Sequence, residues 1–459
     1  MHKPLLTLLA SAIVLAGCSL APSYEAPQPA FAEQWDHAAG ASQWPAVDWW
    51  RLFGSAELEQ LMLIARDRNL DLATAMSRVR QADIQARIAG ASLLPSLSAS
   101  LGGNSGRASD NNGGGSNTRY SGGLSASYEL DVWGRNRDSR ASSGLGALAT
   151  TYERDSVALT LSASVATSYF KVLELRERLR IAEDNLANAE RVMAVVDARV
   201  RLGAGTELDR VQQQTLVEQR RAALPGLRQQ LATAETALAL LLGEAPQGIA
   251  GRIEGDSLSA LQMPQPLAGG LPSELLLRRP DLRRAETQLR AANADIGVAR
   301  AALFPSLTLS ASTSLEDAAL SGLFSSANLA SSVGASLLQP IFRGGALRGQ
   351  VELSEERYQE LAIGYRQSIL TALKEVEDAL VAVHQGQLQM DSQQRVLANA
   401  ERAFRLAEAQ YRAGAADLLS VLSAQQTFFS TRDATLQNSA SQLQNYVQLY
   451  KVLGGGFGA

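Results

Sequence analysis

The chain is written twice. Leu70 to Ser100 reappears as Pro280 to Ser310 at a constant offset of 210, so that Asp71-Leu72 returns as Asp281-Leu282, Arg80 as Arg290, Ala82 as Ala292, Ala89 as Ala299, and Pro95-Ser96-Leu97 as Pro305-Ser306-Leu307. A second stretch repeats at an offset of 211: Leu186-Ala-Asn-Ala-Glu-Arg191 is identical to Leu397-Ala-Asn-Ala-Glu-Arg402, and Arg201-Leu-Gly203 returns as Arg412-Ala-Gly414. Repeats this long mean that a whole supersecondary unit was duplicated, and the two halves are expected to do the same physical job side by side.

The N-terminus carries an export signal. Lys3 is a short cationic head, Leu5 to Val14 is mostly apolar, and Leu15-Ala16-Gly17-Cys18 follows. That last tetrad is a lipobox, in which small residues precede a cysteine whose thiol is acylated, so the mature chain is expected to begin at Cys18 with diacylglycerol and an N-acyl chain attached. Cys18 is the only cysteine in 459 residues, which also excludes an intramolecular disulfide. Each buried methylene contributes about 0.8 kcal/mol, so several acyl chains hold a protein firmly to a membrane. Ser19 stands where an aspartate would resemble an inner-membrane retention signal, which favours the outer membrane.

After the signal no run of 18 or more apolar residues occurs, so a membrane-spanning part must be built from strands. The net charge of -4 is made of interspersed acids and bases, with no basic patch interleaved with aromatics, and nucleic acid is not an expected partner.

Residues 19 to 54, rich in Pro, Trp and Ala, read as an irregular extended segment ending at Trp49-Trp-Arg-Leu-Phe-Gly54. From Ser55, a suitable N-cap, apolar residues recur at helical spacings to Leu94, ahead of Pro95. Similar patterns run over 137–201, 206–242, 273–303, 349–412 and 417–453. Pro225 lies well inside one of them and is expected to kink or break it. The two longest are on the order of 100 Å if helical, and their Ala-, Gln-, Glu- and Arg-rich composition reads as coiled coil.

Between the first and second helical stretch of each repeat the period changes to two. Leu97, Ala99 and Leu101 alternate with serines, as do Leu124, Ala126, Tyr128, Leu130 and Val132 with Ser125, Ser127, Glu129 and Asp131. In the second repeat Leu307, Leu309 and Ala311 face away from Thr308, Ser310 and Ser312, and Val333, Ala335 and Leu337 from Ser332, Gly334 and Ser336. Two hairpins follow, with Gly-, Ser-, Asn- and Ala-rich tips at Gly102 to Arg119 and Leu315 to Leu329. Their length and patterning match transmembrane strands, and Leu94, Trp133, Phe304 and Phe342 mark an interfacial belt. An open sheet edge in hydrocarbon costs several kcal/mol per unpaired backbone group, so the sheet must close. Four strands cannot close. Known barrels begin at about eight strands, so at least one identical partner is required, and two partners give twelve strands with room for an aqueous channel.

The chain is thereby divided into a signal peptide (1–17), a lipid-anchored extension (18–54), a first structural repeat (55–242, strands about 95–133), a linker in the equatorial region (243–272), a second repeat (273–453, strands about 305–342) and a tail (454–459). Across this whole mature length the chain resembles the TolC-type outer membrane factors, in their lipoprotein (NodT/OprM-like) branch. The carriers are Cys18-Ser-Leu-Ala-Pro-Ser-Tyr24, Trp49-Trp-Arg-Leu-Phe53, Asn69-Leu-Asp-Leu72, Leu94-Pro-Ser-Leu97, Glu129-Leu-Asp-Val-Trp-Gly134, Arg278-Arg-Pro-Asp-Leu282, Phe304-Pro-Ser-Leu307 and Pro340-Ile-Phe342. The resemblance implies an α+β membrane protein: a homotrimer with a twelve-stranded barrel, four strands per chain, continuous with a periplasmic α-helical barrel. It implies the outer membrane channel of a tripartite efflux pump, docked to a periplasmic adaptor and an inner-membrane transporter of the RND type.

Gly203 and Gly414 sit at matching ends of the two long helical stretches, where glycine suits a left-handed C-terminal cap. Thr206 and Asp417 follow as N-caps of the return helices, and Thr206-Glu-Leu-Asp209 has the form of a capping box. Each repeat therefore makes a tight helical hairpin. By resemblance these hairpins close the periplasmic tip, with a leucine and an aspartate one turn later narrowing the lumen. Leu419 matches the leucine, but Ser423 stands at the aspartate's place; Leu208 and Gln212 are the first-repeat equivalents. Glu207, Asp209 and Asp417 are the acids left to supply a negative field, although capping alone accounts for Asp417. The turns around Arg201, Gly203, Gly205, Arg412 and Gly414 are the expected adaptor contacts.

No catalytic or metal constellation can be assembled: His2 is in the signal, His37 in the irregular segment, and His384 alone on a helix. Asp71 and Asp281 recur as single acids per repeat, more suited to solvation or helix pairing than to catalysis. No enzyme activity and no bound cofactor is expected. Two other readings remain: a type I protein-secretion duct, and a periplasmic coiled-coil scaffold lipoprotein, which has no need of four amphipathic strands.

Overall fold

A computed structural model describes residues 19–27, 34–37, 44–107, 116–249, 251–265 and 270–456. The signal peptide and Cys18 lie outside the described residues. After a one-turn 3-10 helix at Trp49–Phe53 come α1 (Ala56–Arg68), α2 (Leu70–Gly90), β1 (Ser96–Arg107), β2 (Ser116–Leu130), α3 (Arg135–Arg201) and α4 (Glu207–Leu241). The second repeat supplies α5 (Leu275–Arg278), α6 (Pro280–Ala301), β3 (Ser306–Asp317), β4 (Leu329–Leu338), α7 (Ala346–Arg412) and α8 (Leu418–Val452). The duplication is metrically faithful: α3 and α7 have 67 residues each, and α4 and α8 have 35 each.

The helix expected to run unbroken from Ser55 to Leu94 is two helices. Ser55 caps α1 as expected, its hydroxyl accepting from Leu58 N–H at 3.1 Å. The break falls at Asn69, whose backbone is extended (ψ 129°). Its Oδ1 accepts from Leu72 N–H, which caps α2, while its Nδ2 donates to the Leu241 carbonyl at the end of α4 (both 2.9 Å). The second repeat breaks in the same place, between α5 and α6, where Pro280 biases Arg279 away from helical backbone. Arg279 then donates to the Val452 carbonyl at the end of α8 (3.2 Å). In both repeats, then, a polar side chain at the break satisfies a carbonyl that the return helix cannot satisfy itself. Periodicity cannot reveal this, because the partner carbonyl is more than 170 residues away.

Pro225 does not break α4. The helix runs through it, with Pro225 on the exposed face, so the carbonyl left without its usual donor faces water. One 18-residue window within α3 reaches a mean hydropathy of 1.2, yet 56% of it is buried inside the chain, as suits a helix packed on other helices.

The chain forms two compact units that cut across the repeats. Among the described residues, one holds those within 19–27, 78–151 and 284–366, and the other those within 34–77, 152–283 and 367–456. The second has an aromatic core: Trp49 and Phe53 pack on Tyr450 and Phe170, with the Trp49–Tyr450 centroids 5.5 Å and the Phe53–Phe170 centroids 4.9 Å apart. Leu58, Met62, Leu173 and Tyr446 are fully buried there. The first contains the sheet, antiparallel in the order β1-β2-β3-β4. β1 and β2 pair out to Arg107 opposite Ser116, so the strands run through much of the expected Gly102–Arg119 tip. Ladder bonds are made by backbone, and glycines at Gly102, Gly103 and Gly106 do not prevent them.

Candidate functional site

The register sorts the side chains into two faces. Leu97 lies opposite Ala126, Ala99 opposite Leu124, Tyr128 opposite Leu309, Leu130 opposite Leu307, Leu309 opposite Ala335, and Ala311 opposite Val333. Successive residues alternate faces, so these pairs share one apolar surface. The other carries Ser98, Ser125, Ser127, Thr308, Ser310, Ser312, Ser332 and Ser336, with the Ser312 and Ser332 hydroxyls bonded at 2.8 Å. Much of the apolar face is uncovered within the chain, most of all on the outer strands: Leu101 is 80% exposed and Val333 88%. In water such a surface is unfavourable at roughly 25 cal/mol per Å², so it requires a non-aqueous medium or a partner. At the foot of the sheet Trp133 stacks on Phe304 (4.7 Å), its Nε1 donating to the Pro305 carbonyl at 2.8 Å. Ile341 and Phe342 are almost fully exposed nearby in sequence. An indole with its polar end satisfied and its ring beside apolar surface suits a headgroup boundary.

The hairpin turns are the second feature. Gly203 and Gly414 take φ of +73° and +75°, open to glycine without strain. Gly203 N–H bonds to Val200 O and Ala204 N–H to Arg199 O; Gly414 N–H bonds to Tyr411 O and Ala415 N–H to Gln410 O. This is the same two-bond C-terminal cap in both repeats. Thr206 and Asp209 complete the capping box, with Thr206 N–H to Asp209 Oδ2 at 2.8 Å and Asp209 N–H to Thr206 Oγ1 at 3.2 Å. Asp417 accepts from Ser420 N–H at 2.9 Å, and its hydrogen bonds from Ser420 hold its carboxyl below the usual carboxylate range. Glu207 is likewise held low by Arg210.

Both turns belong to one unit and are joined by contacts that sequence reasoning missed. Val192 and Val196 of α3, Phe404 and Tyr411 of α7, and Leu418 and Val421 of α8 form a buried cluster. Arg199 lies over the Tyr411 ring at 4.4 Å and donates to the Tyr411 and Ala204 carbonyls, so one guanidinium ties the end of each long helix to the other. The signal was present as a departure from the repeat: at the 211 offset Arg199 meets Gln410 and Tyr411 meets Val200. The expected gate leucines are placed differently from their neighbours. Leu418 is 3% exposed, whereas Leu419 is 67% and Leu208 64% exposed. Ser423 and Gln212 are exposed one turn on, as are Arg201 and Arg412, the latter paired with Glu408 at 2.6 Å. Gly205 packs close to Val200, leaving a side chain little room there.

With this geometry in view, comparison with known proteins gives a consistent result. The family model described as "Outer membrane efflux protein" matches residues 61–244 and again 271–455, one match per repeat. The pyoverdine export outer membrane protein OpmQ of Pseudomonas aeruginosa is 43% identical over 98% of this chain and 97% of its own length. The cation efflux system protein CusC of Escherichia coli K12 is 34% identical over 97% and 98%. Among solved structures, the outer-membrane channel OprN superposes with a TM-score of 0.89 at 28% identity, covering 96% of this chain and all of that one. A CusC structure gives 0.88 at 32% identity over 96% and 100%.

Proposed function

Since this chain belongs to the outer membrane efflux protein family, we propose that three copies of it, lipid-anchored through Cys18, form a passive exit duct for small molecules, docked on a periplasmic adaptor and an RND-type inner-membrane transporter. The family assignment carries the fold and the location: four strands per chain in a twelve-stranded outer membrane barrel continuous with a periplasmic α-helical barrel, serving as the channel component of an efflux pump. The observation that bears the reading is the four-stranded sheet itself, apolar on one face and serine-lined on the other, with β1 and β4 each paired on one side only. In hydrocarbon those edges demand further strands. Serine and threonine hydroxyls line a water-filled lumen without a specific pocket, which fits a duct serving varied solutes. The relatives' names are varied in the same way: pyoverdine export, cation efflux and toluene efflux.

At the tip, exposed Leu419, with Leu208 in reserve, is the residue we assign to the narrowest ring, and Asp209, Asp417 and Glu207 give that ring a negative surround. Purification in detergent with mass measurement, followed by planar-bilayer recording, tests the proposal. A trimer with discrete, cation-favouring conductance is expected. A monomer that inserts without conductance would overturn the duct reading, and failure to cross-link an adaptor in cells would overturn the assembly.

A further inference from the structure

The duplicated helices α2 and α6 differ in one respect that the duct itself does not require. On α6, Asn293 and Gly297 are buried beneath an extended strap, residues 19–27. Asn293 Nδ2 donates to the Pro22 carbonyl at 2.8 Å. A Cβ at position 297 would collide with Asp138 Oδ2 and stand 2.9 Å from both the backbone nitrogen and the Cβ of Ala21, so the strap fits only because that residue is glycine. Asp138, in the first turn of α3 and 7% exposed, accepts the Ser19 hydroxyl with both carboxylate oxygens at 2.9 Å, and Ala21 N–H closes back on Ser19 Oγ at 3.1 Å. Tyr24 continues the contact with its hydroxyl buried.

None of these features recurs in the other repeat. At the 210 offset Asn293 and Gly297 become Asp83 and Arg87, both exposed on α2, and at 211 Asp138 becomes Gly349. The three positions that make the seat are thus three places where the copies diverged, and each counterpart is unsuited to it. An arginine stands where the glycine is needed, an acid replaces the amide donor, and the carboxylate acceptor is missing.

We propose that residues 19–27 are a register strap with a dedicated seat on α6 and the first turn of α3, which sets the depth at which the acyl chains on Cys18 enter the bilayer relative to the sheet. The inference rests on the reading of Cys18 as the lipidated residue. Ser19 is bonded to Cys18, so anything attached to that cysteine is tethered to the seat by one peptide unit, about 3.8 Å of backbone. The seat in turn adjoins the foot of the sheet, its α3 part shortly after β2 and Trp133 and its α6 part shortly before β3, at the boundary where the duct reading has the sheet leave the membrane. Lipid and barrel are therefore held in one vertical register instead of by a slack leash. A single seat per chain leaves the strap one place to dock.

Because acylation consumes the thiol of Cys18, Ser23→Cys introduces the one free thiol in the protein. A nitroxide attached there, in full-length protein reconstituted into phospholipid bilayers, reports seating directly. An immobilised spectrum is expected in the parent and in Arg87→Gly, and a dominant mobile component in Gly297→Arg, with fatty-acid incorporation equal in all three. Asn293→Ala, which adds no bulk, should shift the spectrum in the same direction and decides the matter if Gly297→Arg does not fold. Immobilised spectra in both α6 variants would overturn the seat. Absence of fatty acid from the parent would instead remove the anchor, and with it the depth-setting role, and the spectra, taken with Cys18→Ser added so that position 23 again carries the one thiol, still judge the seat.

Discussion

Leu418 and Leu419 are adjacent and chemically identical, yet one closes the core between the hairpins and the other stands free. Truncating Leu419 to alanine therefore removes little from the packing of its own chain, but in a trimer it shortens all three side chains of the ring proposed there. Resting conductance in planar bilayers and uptake of a large antibiotic should both rise while the trimer persists; an unchanged current in an intact trimer would place the gate elsewhere. Leu418→Ala should instead destabilise the tip by about 2 to 5 kcal/mol through the cavity it leaves, seen as earlier thermal unfolding. Asp281 makes a different demand at the same scale. Burial pushes its carboxyl up, but hydrogen bonds and charge contact with Arg279 (2.7 Å) outweigh this and hold it below the usual carboxylate range. A depressed acid contributes stability above its unfolded value of 3.8 and loses it as pH falls through the lower folded value. On titration from pH 7 to about pH 3, the melting temperature of the parent should therefore fall further than that of Asp281→Asn, which has no charge to lose. Parallel curves would show that the pair is not linked to folding.

Among elements, the strands carry the sharpest expectation, because a period of two assigns every side chain to one of two media. Arginine at Leu124 or Leu309 faces lipid and should cost about 2 to 4 kcal/mol near the bilayer centre, read as loss of trimer on semi-native gels. Arginine one residue away, at Ser125 or Thr308, faces the lumen and should leave the trimer intact while altering single-channel conductance. Equal loss of trimer at both kinds of site would contradict a membrane barrel. The helices obey a looser rule. α2 leaves Met76, Ile84 and Ile88 exposed, whereas at the equivalent places on α6 Ala294 is buried and Glu286 and Val298 are half-buried. The same duplicated helix is thus finished internally in one repeat and left open in the other, as expected of a chain that completes its packing only in an oligomer.

For the molecule as a whole, the proposed lipid anchoring should be separable from closure of the barrel. Cys18→Ala removes the only thiol, so incorporation of labelled fatty acid should fall to background; label persisting in the variant would refute acylation at that residue. Closure of twelve strands satisfies the sheet edges without lipid, so a fraction of the variant should still assemble as trimers and conduct.

Duplication, helix and strand periods, the caps at Ser55, Thr206 and Asp417, and the left-handed glycines at 203 and 414 were all legible in the sequence. Each is local, set by a residue's own stereochemistry or by neighbours within a turn, and each stands where its pattern put it. Four alternations of leucine with serine, in a chain with a lipobox and no long apolar run after it, likewise pointed to a membrane sheet, and such a sheet must close because unpaired edges are unfavourable in hydrocarbon. Contacts between distant segments were not legible. The break at Asn69 exists because that side chain serves the end of α4, Pro225 is tolerated because the lost bond faces water, and Arg199 matters because α7 brings Tyr411 beneath it. Nor could periodicity distinguish Leu418 from Leu419 or reveal Gly297 as the floor of a seat. Such roles depend on which surface arrives opposite a residue, and only the packing of segments a hundred or more positions apart decides that.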